Sequence, residues 1–114
     1  MHELGVVFKI KQQVEDVAKQ NNVKKVTSLT IELGEVSTVV PDLFIECFDW
    51  AKKKSEYLQD CKLNLVIIKA ISYCEDCKQT YSTTEFARTC PHCKSPHTYL
   101  VSGNELKIKQ IEVE

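Results

Sequence analysis

Apolar residues fall at Leu4, Val7, Ile10 or Phe8, Val14, Val17 and Ala18, spaced by three and four, while Lys9, Lys11, Gln13, Glu15, Asp16 and Lys19 take the positions between. That period predicts an amphipathic helix from His2 to about Gln20, ended by Asn21 and Asn22, which tolerate a left-handed turn. From Val26 to Leu33 the period drops to two. Leu29, Ile31 and Leu33 share one face and Thr30 and Glu32 the other, the mark of a half-buried strand, which Gly34 breaks. Pro41 suits the first position of a second helix, with Asp42 and Glu46 toward its positive end and Lys52, Lys53 and Lys54 at its close. Its expected core face is Leu43, Phe44, Cys47, Phe48 and Ala51. Leu63 to Ala70 alternates as a second strand. Leu106 to Val113 is the last strand, and its apolar phase shifts from Leu106 and Ile108 to Ile111 and Val113, as a bulge or an edge position would require. The expected fold is α/β in the α+β sense: a small three-stranded mixed sheet with two helices on one face, and a lobe inserted before the last strand.

The inserted lobe is defined by cysteine. Cys74-Glu75-Asp76-Cys77 is followed, after twelve residues, by Cys90-Pro91-His92-Cys93. Each short turn presents two thiolates, and the loop between them lets both pairs reach one ion, which is the pattern of a tetrahedral structural zinc site. Catalytic zinc needs an open position, and a redox Cys-x-x-Cys stands singly at a helix start, so neither fits two matched copies. Iron fits the same all-sulfur cage and would colour the protein. The domains read as 1–70 with 101–114 for the main lobe and 71–100 for the zinc-binding lobe. His92 and His97 read as exposed residues of that lobe, near enough in sequence to replace a cysteine under acid or oxidation.

Composition narrows the function. The 114 residues carry 15 basic and 16 acidic side chains, a formal charge of −1. Four zinc-bound thiolates add four negative charges and the ion two positive ones, so the charge becomes −3, the wrong sign for a nucleic-acid partner. Tyr73, Tyr81 and Phe86 are expected to shield the metal rather than stack on bases. No apolar run reaches the length of a membrane span and no signal-peptide layout opens the chain, so the expected location is the cytoplasm, with Cys47 and Cys61 as reduced, buried thiols. No phosphate-binding glycine loop and no Ser, His and Asp constellation stand out, so an enzyme is not expected.

The amino terminus offers a second metal site. With histidine as the second residue, the terminal amine of Met1, the His2 backbone nitrogen and the His2 imidazole close adjoining chelate rings around one ion. A fourth donor from the Glu3 backbone nitrogen or a side chain completes a planar field of the kind Ni(II) or Cu(II) favours. Met1 is expected to stay, because its removal generally requires a small second residue.

Met1-His2-Glu3-Leu4, Ile31-Glu32-Leu33-Gly34-Glu35, the paired knuckles twelve residues apart and Gly103-Asn104-Glu105-Leu106, taken in this order and spacing, resemble the HypA/HybF family of hydrogenase maturation proteins from end to end. The resemblance implies a nickel metallochaperone that passes Ni(II), with the GTPase HypB, to the apo large subunit of NiFe hydrogenase. In some bacteria the family also serves urease, which adds urease accessory proteins as partners. It maps nickel binding onto Met1 (through its amine), His2 and Glu3, and structural zinc onto Cys74, Cys77, Cys90 and Cys93. Gly5 departs from the pattern, where Ser or Ala is more usual, at a cost of about 1 kcal/mol in helix propensity. A monomer or weak homodimer is expected, without nucleic acid or membrane. The competing class is a zinc-ribbon adaptor that binds protein or nucleic acid through the four-cysteine lobe, with the amino terminus incidental.

Overall fold

The computed structural model describes residues 3–114. In chain order the elements are α1 (Glu3–Gln20), β1 (Val26–Gly34), α2 (Pro41–Lys52), β2 (Lys62–Ile68), β3 (Ile71–Cys74), β4 (Thr80–Ser82), α3 (Thr83–Phe86), β5 (Thr98–Ser102) and β6 (Leu106–Val113). Two three-stranded sheets form, one ordered β2-β1-β6 and the other β4-β3-β5. The first is mixed. Glu35 N–H donates to the Ile68 carbonyl (2.8 Å), so β1 and β2 end together, and α2 supplies the crossover that a parallel pair needs. Gly34 N–H donates to Glu105 (2.7 Å) and Glu114 N–H to Lys25 (3.0 Å), which sets β6 antiparallel to β1. The shifting apolar phase of β6 belongs to an edge strand.

The chain divides into two compact units. One holds Leu33–Ser37 and Ile67–Leu106; the other holds α1, α2 and the greater part of β1, β2 and β6. In the helical unit, Val7, Ile10, Val14 and Ala18 of α1 are buried, as are Phe44, Phe48 and Ala51 of α2 and Val26, Leu29 and Ile31 of β1. The core face of each helix is narrower than the spacing of apolar residues suggested. Leu4, Phe8 and Val17 lie on the exposed side of α1 and Leu43 on that of α2, while Cys47 is half-buried. A single helix face of about 100° cannot take every residue at three-and-four spacing, so the surplus goes outside. There Phe8 meets Trp50 edge-on at 5.8 Å, and the Lys54 ammonium lies 4.5 Å from the Trp50 ring.

The start of α2 explains a residue of the amino terminus. Val40 occupies the N-cap and offers no side-chain oxygen, with Pro41 following it. Glu3, itself buried, takes the N–H of the N-cap residue instead: Val40 N–H donates to its Oε1 at 3.1 Å. A carboxylate there is favoured by the helix dipole, and the bond seats the first turn of α1 on the first turn of α2.

The second sheet was not visible as a sheet in the sequence, because strands of four, three and five residues are too short to show a period. β3 pairs antiparallel with both neighbours, and a bulge interrupts its register with β5 between Ile71 and Ser72. The Leu33–Ser37 segment is built into the same unit. Glu35 Oε1 accepts from Ala70 N–H (2.9 Å), and Val36 N–H donates to the Gly103 carbonyl (2.8 Å). Gly34 permits this approach, since a Cβ there would overlap the Gly103 carbonyl, whereas a Cβ at Gly5 meets nothing within 4 Å.

These two glycines are expected to respond with opposite signs. Gly34→Ala should lower stability by about 3 kcal/mol through overpacking against backbone, and Gly5→Ala should raise it by up to about 1 kcal/mol through helix propensity. Urea unfolding of both variants at fixed metal content checks this; a stable Gly34→Ala protein would contradict the packing described.

Candidate metal centre

The two knuckles are built alike. In the first, Lys78 N–H donates to the Cys74 carbonyl (2.9 Å) and Cys74 N–H to that of Gln79 (2.9 Å). In the second, Lys94 N–H donates to Cys90 (2.8 Å) and Cys90 N–H to Ser95 (3.0 Å). Each turn is completed by a lysine with positive φ, 59° at Lys78 and 61° at Lys94. That conformation costs a side-chain-bearing residue about 1 kcal/mol. It recurs at the equivalent place because it turns the chain so that both cysteines of a knuckle face inward. The pairing of β3 with β4 and β5 then brings the knuckles together.

The four ligand sulfurs of Cys74, Cys77, Cys90 and Cys93 all lie within 4.8 Å of one another, with Cys74 to Cys93 and Cys77 to Cys90 each at 3.5 Å. A tetrahedron with ion–sulfur bonds of about 2.3 Å has edges of about 3.8 Å. The donor set and its spacing therefore fit one tetrahedral dication. Neither His92 nor His97 belongs to this group. Cys74 and Cys90 are fully buried, and Tyr81 covers them, its hydroxyl held by the Ala87 carbonyl at 2.8 Å and its ring meeting Phe86 edge-on at 6.3 Å. Tyr73 meets Tyr99 instead, ring centroids 5.5 Å apart and tilted by 50°.

Electrostatics keep these thiols apart in behaviour. Burial raises the Cys90 thiol, but the N–H groups of Cys93 and His92 point at its sulfur and outweigh that, lowering it to about 7. Burial pushes Cys77 up to about 12, with the neighbouring thiols adding to the rise against the Gln79 N–H. At Cys93 the Ser95 N–H lowers the thiol, yet burial and the neighbouring Cys74 and Cys90 leave it raised. Without an ion, then, the cluster favours one thiolate over several, and a bound dication replaces protons. Cys61 is buried and raised by that burial, and Cys47 is half-buried; both are free thiols.

Around the thiols lies a polar group that the sequence did not advertise. Asp76 accepts hydrogen bonds from Ser95 Oγ and from His97 Nδ1 (3.0 Å), and these, Ser95 first, hold its carboxyl below the usual range. The partners stand 19 and 21 residues away in the chain, beyond any local pattern.

A family model described as "Hydrogenase/urease nickel incorporation, metallochaperone, hypA" matches residues 1–113. The chain belongs to the HypA family. It is 35% identical over 114 residues to the hydrogenase maturation factor HypA of Actinobacillus succinogenes, and 30% identical over 114 residues to the hydrogenase maturation factor HybF of Klebsiella pneumoniae, each match spanning the whole of both chains. In structure it is similar to the Ni metallochaperone HypA from Helicobacter pylori, with a TM-score of 0.73 at 27% identity over 99% of this chain and 97% of that one. HypA proteins are metallochaperones and not enzymes, in keeping with the absence of a catalytic constellation from the sequence. No helix among the described residues is long and apolar enough to cross a membrane.

Within this HypA frame the sequence-derived sites fall differently. The four cysteines meet in one cluster. Met1 and His2 lie outside the described residues, and Glu3 is the buried acceptor for Val40 N–H.

Because the cysteines must lose protons to bind an ion, the affinity of the metal-free protein for a divalent ion should rise steadily from about pH 6 to about pH 8. Competition titration against a chelator of known pH dependence measures it. A pH-independent affinity would contradict thiolate ligation.

Proposed function

We propose that this chain carries Ni(II) at its amino terminus and passes it, with the GTPase HypB, to the apo large subunit of NiFe hydrogenase in the cytoplasm. The observation that carries the reading is the family match over residues 1–113, which joins the Met1-His2-Glu3 start and the four-cysteine cluster in one chain. The division of labour follows the domains 1–70 with 101–114 for nickel and 71–100 for zinc. Zinc, when bound by Cys74, Cys77, Cys90 and Cys93, supplies a structural cross-link with no open position.

Nickel is the cargo. The Met1 amine, the His2 backbone nitrogen and the His2 imidazole provide three donors in a plane. Because Oε1 of Glu3 already accepts from Val40, the Glu3 backbone nitrogen is the better candidate for the fourth donor, and the side chain acts as the anchor that fixes the chelate on the helical unit. A site of few protein donors at a chain end releases its ion by ligand exchange, so a partner's donors can take over one at a time. Urease accessory proteins fit the same chemistry as receivers.

Extension of the chain by one residue before Met1 displaces the amine from its chelate ring. Equilibrium dialysis should then show at least tenfold weaker Ni(II) binding by the extended protein and by His2→Ala than by the native-ended chain, with the sulfur-bound metal retained in all three. Equal nickel uptake by the native and extended proteins would overturn the reading.

A further inference from the structure

The knuckles are joined by more than an ion. Oδ2 of Asp76, in the first knuckle, accepts from both Ser95 Oγ and His97 Nδ1, which follow the second knuckle. Ser95 Oγ in turn accepts from the His97 N–H at 3.0 Å, and the Glu75 N–H donates to the His97 carbonyl at 3.0 Å. Ser95 is buried, 8% exposed, and its hydroxyl is used in both directions. None of these bonds involves a thiolate, so they persist when a sulfur leaves the ion.

That matters for metal exchange. A four-thiolate site loses its ion when one knuckle swings away and a competitor takes the vacated position. Links that hold the knuckles together keep the departing thiolates at high effective concentration, so they rebind before a second ion enters. For a chain that carries nickel, the same sulfurs are a rival for the cargo. Ni(II) favours a planar field, and knuckles held at tetrahedral spacing cannot flatten around it.

We infer that Asp76, Ser95 and His97 form a clasp that sets the selectivity of the sulfur site, keeping zinc in and carried nickel out. The inference rests on the zinc and nickel assignments proposed above. The exchange it opposes is one dication for another, with no electron transferred and no net proton change, so the barrier lies in opening the knuckles. Asp76 is a positioning residue here and touches no metal.

The test uses the full-length, native-ended, zinc-loaded protein challenged with excess Ni(II). Released zinc is followed by metal analysis of filtrates, and nickel–thiolate charge-transfer absorption is recorded in parallel. Asp76→Ala should lose zinc about tenfold to a hundredfold faster than wild type, with nickel–sulfur absorption rising in step. Asp76→Asn, whose amide oxygen accepts from both donors, should stay near wild type. The Ser95→Ala, His97→Ala double variant removes the donors while leaving Asp76, and should match Asp76→Ala; it carries the test if circular dichroism shows Asp76→Ala unfolded. Equal zinc release from wild type and Asp76→Ala would overturn the clasp, as would an Asp76→Asn protein as labile as Asp76→Ala. A wild type that takes up no zinc would overturn instead the metal assignment on which the clasp depends.

Discussion

Four sulfur atoms within 4.8 Å of one another, two of them fully buried, cannot all carry charge unless a cation lies among them. This constraint governs the smaller unit of the molecule. The strands of its own sheet are three to five residues long, and the buried cluster around the metal-ligand candidates is Tyr81 with Cys74 and Cys90. With so small a cluster there, an ion bound by the four thiolates would contribute a large share of this unit's folding free energy, on the order of 10 kcal/mol in isolated modules of this kind. The matched knuckle turns, each with a lysine in a left-handed conformation, are small local strains that bonds from the four sulfurs to an ion would outweigh.

The nickel site proposed at the amino terminus would follow the opposite logic. A structural ion is surrounded, buried and held by knuckles tied to each other, whereas a transferable one needs few protein donors and an approach for the next ligand. The Glu3 carboxylate accepts from the Val40 N–H at the positive end of α2, which fixes the first turn of α1. On the proposed assignment, selectivity would come from donor type: nitrogens in a plane for nickel, sulfurs in a tetrahedron for zinc.

Much of this was legible in the sequence, and the reasons differ by element. The three-and-four period of α1, the alternation of β1 and Pro41 at the first position of α2 each report local geometry, so these elements stand where expected. The cysteine spacing is a property of two turns and needs no tertiary knowledge. Features that depend on contact across the chain were hidden. Leu4 and Leu43 look like core residues by spacing and are exposed, because only the packing of α1 on α2 decides which part of an apolar stripe is covered. Glu3 reads in the sequence as a donor through its backbone nitrogen or side chain, and its carboxylate's partner 37 residues away cannot be inferred from either segment. Asp76, Ser95 and His97 likewise acquire meaning only once the knuckles face each other. The zinc-lobe sheet was missed because strands this short carry no period.

On the proposed assignment, nickel and sulfur do not meet in this protein. X-ray absorption at the nickel edge, on native-ended, zinc-loaded protein given one equivalent of Ni(II), tests it most directly. The account predicts a planar, four-coordinate spectrum with nitrogen or oxygen neighbours and no sulfur. A nickel–sulfur shell in that sample would contradict it.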